Sequence, residues 1–546
     1  MPHADDDANL VPAPEAADLY STDPVLGEAV RRHGAEQHAG RLRDLGKVAG
    51  SPRSLRWAEF VDRYPPTLRT HDAFGRRLDE LEYHPAWHRL MQAGVRAGLT
   101  AAAWTQDPTT APHTARAAAL VLWAQTETGH LTALSTTYAA APALRGDAEA
   151  EATWLPRLAS RAYESGLRPA QDKLGVLAGL AVTERQGGTD LRTSTTVARP
   201  QTDGYRLTGH KWFVSAPMSD VFLVLAQAPG GVSCFLVPRV LPDGTRNPWR
   251  LERLKSTLGT RSTGVAEVEL DGTWGHLLGE EGSGRRTLSG TTAALRLDGV
   301  LTAAGAMRTC VVRAVHHARH REAFGSALLD KPLMQNVLAD LAVESEAATL
   351  LGIRLAAAVD AGEDDLLRVA VPVAKYWVAK RTPPVVAEAL ECLGGNGYVE
   401  EHGLARVFRA SPGLSLWEGT GNLTALDVLS AMSVQPTAME VLLAEIDRAR
   451  GADARLDRAM DDVAAFLQAA AREARRDPAA VESGARWMVE RLAIALQASL
   501  VVRHAPSAVA TAYLATRVAG GGGFLIGTLP VGRRTTEAIV DRAVAG

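Results

Sequence analysis

The spacing of apolar and polar residues changes twice along the chain and predicts two kinds of region. From about residue 20 to 170, Ala, Leu and Arg recur at helical spacing, as in ARAAALVLWAQTETGHLTAL, and predict a helical domain. Between about 175 and 285, short apolar or alternating runs such as VFLVLAQ and VAEVEL are separated by Gly, Pro and Asp turns. This second pattern is typical of a compact β-domain.

Helical spacing returns in the second half of the chain. Long stretches between about 286 and 430 predict a four-helix bundle, with breaks at Lys331-Pro332, at Pro383-Pro384 and at the GGNG turn that starts at Gly394. The remainder, from about residue 437 to 546, is rich in Ala and Arg and predicts a further helical region.

The order of these regions predicts an α+β fold, because one β region lies between helical regions and no βαβ alternation is seen. The first 20 or so residues, rich in Asp, Pro and Ala, predict a mobile arm. We therefore expect an N-terminal arm and helical domain over residues 1–174, a β-domain over 175–285, a helical bundle domain over 286–436 and a C-terminal helical extension over 437–546.

Composition narrows the class of protein. The 546 residues are 46% hydrophobic and 22% charged with a net charge of −3, a balance typical of soluble globular proteins and not of nucleic-acid binders. Three widely spaced cysteines without a CxxC pair indicate neither a zinc site nor a disulfide framework. The acidic N-terminus and the lack of a long apolar run lead us to expect a cytoplasmic protein without a targeting or membrane segment.

The first segment that could carry chemistry is AVTERQGGTD, residues 181–190, where a strand-like run enters a Gly-Gly turn. Such a turn exposes backbone N–H groups beside the hydroxyls of Thr183 and Thr189 and can hold an anion or a ring edge. A plain connecting turn is the alternative interpretation. The GxGxxG spacing of a dinucleotide fold is absent.

Two further segments combine ring or basic side chains with loops. GHKWFVS, residues 209–215, could place an aromatic face against a planar cofactor with Ser215 beside it, although core packing would explain its aromatics equally well. RHREAFG, residues 319–325, could bind phosphate through its basic residues. A solvated cationic helix end is the alternative for that segment. His316 and His320 share a helical face there, but without HExxH or a further ligand they do not predict a metal site.

The fourth segment, LWEGTGN at residues 416–422, places Glu418 between Trp417 and a glycine, just before a helix that we predict to start near Leu423. Desolvation beside an apolar ring makes a carboxylate a stronger base, as proton abstraction near neutral pH requires. A simple helix-entry residue is the alternative interpretation.

Taken in order, these segments resemble the acyl-CoA dehydrogenase family. The matching motifs, each given with the family pattern, are TERQGGTD with TEPGAGSD, GHKWFVS with GxKxWIT, LGTRST with KxGxRxS, HREAFG with ERxxFG, ECLGGNGY with GGxGY, and LWEGTGN with YEGTxQ. Residues 75–91 and the helical region past 437 further resemble the AidB-like branch. The resemblance implies an acyl-CoA dehydrogenase-like fold in which a helical domain, a β-domain and a second helical domain enclose FAD.

The resemblance also implies the residues that bind the cofactor. Among them, Arg321 and Phe324 would contact the FAD of a neighbouring subunit, which implies a homodimer or homotetramer. The implied FAD-binding residues are Thr183, Gly188, Thr189, Phe213, Ser215, Arg321, Phe324, Gly394, Gly395, Thr420 and Asn422.

Glu418 falls on the family's most common position for the base that removes the substrate's α-proton. Its backbone N–H would help to polarise the thioester carbonyl. Arg296, 28 residues before Phe324, resembles a buried arginine near that base. One sub-branch carries its base beside this arginine, but the neighbour here is Leu295, so Glu418 has no rival at that position.

Several residues depart from the family pattern. Phe213 replaces the usual tryptophan, Glu391 stands where many members have a flavin-contacting glutamine, and Pro332 replaces another glutamine. We expect the cofactor site to tolerate these changes. Trp417 replaces a smaller tyrosine and could narrow the pocket, so the sequence does not decide the substrate class.

Three functions are compatible with the resemblance. The first is a dehydrogenase that oxidises an acyl thioester or related small molecule and passes electrons to an electron-accepting flavoprotein. The second is an AidB-like, DNA-associated alkylation-stress flavoprotein with little dehydrogenase activity. The third is a flavin monooxygenase, although such members usually lack the base that Glu418 supplies.

Charge argues against strong DNA binding. Residues 437–546 hold 14 Arg, no Lys and 13 Asp or Glu, whereas a DNA-binding domain usually has a clear basic excess. An arginine linked to DNA binding in the AidB-like branch falls on Ser430 here. We therefore expect DNA binding to be weak or absent.

Overall fold

The computed structural model describes residues 9–544. The helices are α1 (Pro24–Arg32), α2 (Ala39–Ala49), α3 (Pro52–Arg63), α4 (Pro85–Ala97), α5 (Pro112–Ala124), α6 (Leu131–Leu144), α7 (Ala148–Leu158), α8 (Gly284–Thr287), α9 (Ser289–His320), α10 (Pro332–Asp360), α11 (Asp364–Cys392), α12 (Leu404–Ala410), α13 (Gly421–Val434), α14 (Pro436–Asp447), α15 (Ala454–Glu473), α16 (Pro478–His504), α17 (Ser507–Tyr513) and α18 (Arg533–Ala543). The strands are β1 (Thr67–His71), β2 (Arg77–Glu82), β3 (Ala178–Ala181), β4 (Val197–Gln201), β5 (Gly204–Val214), β6 (Val221–Ala228), β7 (Gly231–Pro238), β8 (Trp249–Leu254), β9 (Ala266–Leu278), β10 (Glu322–Ala323) and β11 (Ser326–Ala327).

The chain forms two compact units, which are described separately. The sheet unit consists of Arg53–Ala119 and Thr126–Asp298. The helical unit consists of Met1–Pro52, Leu120–Gln125 and Gly299–Gly546. The α+β prediction is confirmed, since strands β3 to β9 form one seven-stranded sheet between helical stretches of the chain.

The seven-stranded sheet has the order β3-β6-β4-β5-β9-β7, with β8 paired to β9. A further pairing between β6 and β7 closes five strands into a ring. Strand β6 is buried on both sides because successive side chains of a strand point to opposite faces. Val221, Leu223 and Leu225 enter one apolar cluster, and Phe222 and Val224 enter another. This explains the continuous apolar run VFLVLAQ.

The region that we predicted to be purely helical also contains the hairpin β1–β2, so that prediction was wrong over residues 67–82. Leu68 pairs with Leu81 across the hairpin, and both side chains pack against the core of the larger sheet. The strands are only 5 and 6 residues long and carry charged residues, which hid their alternation.

The predicted break at Pro383-Pro384 was also wrong, since α11 runs from Asp364 to Cys392 through both prolines. Proline removes a backbone donor from a helix, so a cost is expected there. The Thr382 hydroxyl donates to the Val378 carbonyl at 2.8 Å, and the residues after the prolines are buried. Packing thus outweighs local propensity. The break at Lys331-Pro332 is confirmed, because Pro332 starts α10.

The first eight residues of the predicted arm lie outside the described residues, and from residue 9 onward the arm, which remains a prediction, forms hydrogen bonds to the helical unit. Asn9 is hydrogen-bonded to Glu322, and the backbone N–H groups of Ala17 and Leu19 donate to carbonyls of α2. Apolar content alone could not reveal these contacts, because they are made by an asparagine side chain and by backbone groups.

Buried ion pairs hold the helical unit together. Asp340, Glu344 and Glu346 of α10 are each at least nine-tenths buried. Arg517 binds both Asp340 and Glu344, and Arg542 of α18 binds Glu346 at 3.0 Å. Burial alone would raise the pKa of Glu344, but Arg517 and Arg381 more than offset it and lower the pKa to about 2. C-terminal segments are therefore tied to α10 by charge as well as by packing.

The three cysteines, Cys234, Cys310 and Cys392, are buried free thiols, and burial raises the pKa of each to about 12. No helix among residues 9–544 is long and apolar enough to span a bilayer. The four predicted domain ranges remain a prediction.

Glu344 provides a test of these ion pairs by pH. A carboxylate with a folded pKa near 2 and an ordinary value of 4.5 contributes its full stability above about pH 4.5 and loses it as the pH falls toward 2. Glu344→Gln should therefore lower the urea midpoint at pH 7. Between pH 5 and pH 3, its free energy of unfolding should fall by on the order of 1 kcal/mol less than that of wild type. The exposed i,i+4 pair of Glu537 with Arg533 supplies the control, since Glu537→Gln should cost no more than about 0.5 kcal/mol. Equal acid sensitivity of wild type and Glu344→Gln would show that this carboxylate is not a source of the pH dependence.

Candidate functional site

In the sheet unit, backbone hydrogen bonds bring the Thr183 turn beside the end of β5. The Trp212 N–H donates to the Thr183 carbonyl at 2.8 Å, and the Ser215 N–H donates to the Leu180 carbonyl at 3.2 Å. Of the predicted cofactor residues, the structure thus places Thr183 close to Phe213 and Ser215.

The Glu184 side chain holds this turn in place through an ion pair and hydrogen bonds. Its carboxylate, 1% exposed, lies 2.8 Å from the Lys211 ammonium, which is itself buried and also donates to the Leu225 carbonyl at 2.6 Å. Burial lowers the pKa of Lys211, and it would raise that of Glu184, but Lys211 together with nearby donors reverses the effect and lowers the Glu184 pKa well below its usual range. Further hydrogen bonds to the carboxylate come from Ser194, Thr195 and Thr196.

The sequence analysis missed this pair for a geometric reason. A β-bulge or irregularity interrupts the β5–β9 register between Lys211 and Val214, so both residues are buried although they are three apart. Phe213 between them is 46% exposed. The strand therefore does not alternate simply between a buried and an exposed face at this point. The sequence does place an acid, Glu184, in one motif and a base, Lys211, in the next. Nothing in the sequence indicated that these two side chains form an ion pair.

The polar groups around Thr183 fit the edge of a planar cofactor. Within residues 9–544, the backbones of Thr183 and Ser215 form hydrogen bonds, but neither side-chain hydroxyl has a hydrogen-bond partner. A Cβ at Gly188 would overlap the Thr183 side chain, so this glycine allows a close approach. Ala216, directly after Ser215, has φ 51°, a left-handed conformation that is costly for a residue with a side chain. Strain of this kind is typical of binding sites.

Thr189 and the cation beside Phe213 differ in exposure, since the Lys255 side chain is only 12% exposed. Thr189 is exposed. The Lys255 ammonium lies 3.3 Å from the centroid of the Trp212 ring and 4.8 Å from that of the Phe213 ring, and it pairs with Glu267 at 2.6 Å. The positive charge beside Phe213 was not predicted.

Arg296 is 7% exposed on α9, as expected for a buried arginine. Two residues later, Asp298 forms a two-bond ion pair with Arg116 of α5 at 2.7 Å, and both side chains are 3% exposed. The Arg116 guanidinium also lies 3.4 Å from the Tyr138 ring centroid. The pair anchors the segment of α9 that carries Arg296, and no sequence pattern indicated it.

The LGTRST segment is bonded to the loop before α6. The Ser262 hydroxyl lies 3.1 Å from both carboxylate oxygens of Glu127, and the Thr263 hydroxyl donates to the Gly129 carbonyl at 2.8 Å. Glu127 is 5% exposed and was not singled out in the sequence. The hydroxyls of Ser262 and Thr263 thus have structural partners.

In the helical unit, Arg321 and Phe324 lie at a tight hairpin that follows α9. Phe324 and Gly325 both have positive φ, 53° and 79°, between the paired residues Ala323 and Ser326. The Phe324 side chain is 99% exposed at the tip. Arg321 is also exposed, and its Nη1 donates to the Asn9 carbonyl at 2.6 Å.

The neighbouring histidines have backbone partners. The His316 Nε2 bonds to the Pro12 carbonyl and the His320 Nδ1 to the His316 carbonyl, each at 2.8 Å. Among the described residues, no group of three His, Cys, Asp or Glu side chains is placed to hold a metal ion.

Glu418 occupies a sharp turn in the helical unit. Its φ is 54°, and the next residue, Gly419, has φ 116°. Thr420 then caps α13, which starts at Gly421, two residues before the predicted start near Leu423. Two successive residues thus have positive φ, and for a glutamate this conformation costs of the order of 1 kcal/mol or more. Such strain is typical of a functional residue.

The remaining predicted residues lie in two turns of the helical unit. Thr420 and Asn422 are exposed beside Glu418. Gly394 and Gly395 follow α11 in a short 3-10 turn with open space around their α-carbons. In that turn, packing demands a glycine at Gly397, where a Cβ would overlap the Leu390 carbonyl.

Comparison with protein families divides the chain into three matching parts. Residues 9–165 match the adaptive response protein AidB N-terminal domain, residues 179–273 the acyl-CoA dehydrogenase middle domain, and residues 282–433 the acyl-CoA dehydrogenase C-terminal domain. The matches follow one another in the order expected from the motifs.

Individual proteins agree with the family matches. The putative acyl-CoA dehydrogenase AidB of Escherichia coli (strain K12) is 43% identical over 467 residues, which cover 84% of this chain and 86% of that protein. The crystal structure of Caenorhabditis elegans ACDH-11 in complex with C11-CoA is 26% identical with a TM-score of 0.83, covering 100% of this chain and 94% of the other. An acyl-CoA dehydrogenase complexed with FAD from Bacillus anthracis shares the fold, with a TM-score of 0.62, 19% identity and coverage of 84% and 79%.

The buried pair of Glu184 and Lys211 generates a stability prediction. Lys211→Met leaves the Glu184 carboxylate buried without its ammonium, so we expect a loss of about 3–5 kcal/mol in urea unfolding. Adding Glu184→Gln removes the stranded charge but keeps a hydrogen-bond acceptor, and the double variant should be more stable than Lys211→Met alone. If the two losses simply add, the interaction between these residues is not the stabilising feature.

Proposed function

Because the chain belongs to the acyl-CoA dehydrogenase family and to its AidB branch, we propose that it is an FAD-dependent dehydrogenase of acyl-CoA or related small substrates, with Glu418 as the base. The single observation that carries this proposal is the turn at Glu418, where the carboxylate follows Trp417 and is directed by a left-handed backbone. A mere helix-entry residue would not require that conformation.

FAD is the cofactor of this family, and the residues of the chain fit it. We propose that the unpartnered hydroxyls of Thr183 and Ser215, with Gly188, Thr189 and the exposed Phe213, hold the flavin. In the helical unit we assign FAD contacts to Arg321, Phe324, Gly394, Gly395, Thr420 and Asn422. FAD, when bound, accepts the hydride that leaves the β-carbon of the substrate. Arg296 is proposed as a supporting residue of the catalytic site, in agreement with its burial.

The role of Glu418 follows from its chemistry. A carboxylate aimed at the α-carbon of a thioester can take up the α-proton, which then resides on a carboxylate oxygen. The backbone N–H of the same residue can donate to the thioester carbonyl, where negative charge develops as the proton leaves. A fixed backbone reduces the reorganisation needed for both actions.

The partners follow from the proposed reaction. ACDH-11 was crystallised with C11-CoA, which supports an acyl-CoA thioester as substrate here. Electrons taken from the substrate must leave the protein, so we propose an electron-accepting flavoprotein as its partner. The buried free thiols support a reducing cytoplasmic location.

We propose a homodimer or homotetramer, because an aromatic side chain that is 99% exposed at a hairpin tip, Phe324, is suited to contact a second copy or its cofactor. A flavin-loaded protein that sediments as a monomer would contradict this proposal.

Strong DNA binding is not proposed. Besides the balanced charge of residues 437–546, many of their arginines already bind carboxylates in the helical unit. These are Arg448, Arg450, Arg455, Arg503, Arg517, Arg533 and Arg542. Paired arginines release few counterions on binding a duplex, so any affinity should be weak and sensitive to salt.

Glu418→Gln tests the proposed base. The variant should keep FAD and thermal stability, while anaerobic flavin reduction by an acyl-CoA that reduces wild type should slow by about 10²–10⁴-fold. The exposed Glu401 of the same unit supplies a matched carboxylate-to-amide control, and Glu401→Gln should reduce at the wild-type rate. Equal rates for wild type and Glu418→Gln would remove Glu418 from the mechanism.

A further inference from the structure

The N-terminal segment Asn9–Pro12 is bonded to the hairpin that carries Arg321. The Asn9 side chain donates to the Glu322 carbonyl at 2.9 Å and accepts from the Glu322 N–H at 2.6 Å. The Asn9 carbonyl accepts from Arg321 at 2.6 Å, and the Pro12 carbonyl accepts from His316 at 2.8 Å. One short segment therefore binds the end of α9, the arginine after it and the first strand of the hairpin.

The chain that follows this segment is anchored at α2 and at Gly50, the residue after the end of α2. The N–H groups of Ala17 and Leu19 donate to the carbonyls of Gly50 and Gly46, one helical turn apart. A Cβ at Gly46 would overlap the Asp18 carboxylate, and one at Gly50 would overlap the Ala17 carbonyl. Two glycines on one face of α2 thus form a groove in which the chain lies close to the helix.

The bonds to Glu322 and Arg321 have different consequences. Glu322 lies at a free hairpin edge, where its backbone donor and acceptor would otherwise face solvent, and the Asn9 carboxamide binds both groups as a third strand would. Arg321 has five N–H donors in a planar fork, and the Asn9 carbonyl uses Nη1 while the fork retains further donors for an anion. The segment therefore orients the guanidinium without consuming it.

We propose that Asn9 is a positioning residue for Arg321, so that the N-terminal segment prepares this arginine to bind the phosphate of FAD. The inference rests on the proposed function, in which Arg321 contacts the cofactor. An arginine held in one orientation before binding loses less conformational entropy when it contacts an anion. The opposite possibility is that the segment competes with FAD for Arg321.

The test measures FAD release from the holoenzyme. The readout is the rise in flavin fluorescence after the holoenzyme is diluted. Asn9→Ala keeps the backbone carbonyl but removes the side chain that holds it in place. We expect the affinity of this variant for FAD to be about tenfold weaker than that of wild type. Arg321→Ala should weaken FAD binding at least as much. The double variant should be no weaker than Arg321→Ala, because Asn9 acts through Arg321.

Leu10→Ala is the matched control, since this neighbouring side chain is 66% exposed. It should leave FAD affinity unchanged. Thermal unfolding of all variants separates a folding defect from lost positioning, because Asn9 lies near the terminus and Asn9→Ala should unfold close to the wild-type temperature.

The outcomes separate the inference from the proposed function. If Arg321→Ala binds FAD as wild type does, the proposed contact between Arg321 and FAD is wrong. If Arg321→Ala weakens FAD binding and Asn9→Ala does not, the positioning role of Asn9 is wrong. Tighter FAD binding by Asn9→Ala would also overturn the positioning role and would show that the segment competes with FAD for Arg321. Additive losses of FAD affinity in the double variant would contradict that role as well, because Asn9 would then act independently of Arg321.

Discussion

The buried ion pair between Glu184 and Lys211 is the interaction on which the sheet-unit part of the candidate site depends. It joins a loop to a strand next to Thr183, whose backbone carbonyl binds the strand that precedes Ser215. Removal of two charges from water is costly, and the cost is offset only when the partners are close and their remaining hydrogen-bonding groups are satisfied. Here the loop residues after the Gly-Gly turn satisfy the carboxylate. The pair therefore fixes one arrangement of the turn, and a loosely held turn would not present the hydroxyls together.

In the helical unit the backbone itself takes the corresponding role. Glu418 and Phe324 both have left-handed conformations that residues with side chains rarely adopt, and each lies in a segment assigned to catalysis or cofactor binding. Strain of this kind persists only when the surroundings hold it in place. The segment from Asn9 to Pro12 binds residues of the hairpin that carries Phe324, including Arg321, which we propose to contact FAD.

Local pattern was sufficient for some features and insufficient for others. The β-domain and the long helices follow from spacing, and the Glu418 motif from its residues in order. Lys211 and Glu344 could not be predicted to be buried, because a charged residue is buried only when a distant partner reaches it. The β-bulge or irregularity between Lys211 and Val214 interrupts the alternation of one strand, and the prolines of α11 were tolerated because tertiary packing outweighs propensity. Each miss has a nonlocal cause.

The central claim is that the chain removes an α-proton and a β-hydride from an acyl thioester. Its most direct test is anaerobic single-turnover flavin reduction with an acyl-CoA deuterated at the α-carbon, and separately at the β-carbon. We expect slower reduction with either label and a product that has lost one hydrogen from each carbon. Reduction at the same rate with the α-deuterated and unlabelled substrates, with the α-deuterium retained in the product, would contradict it.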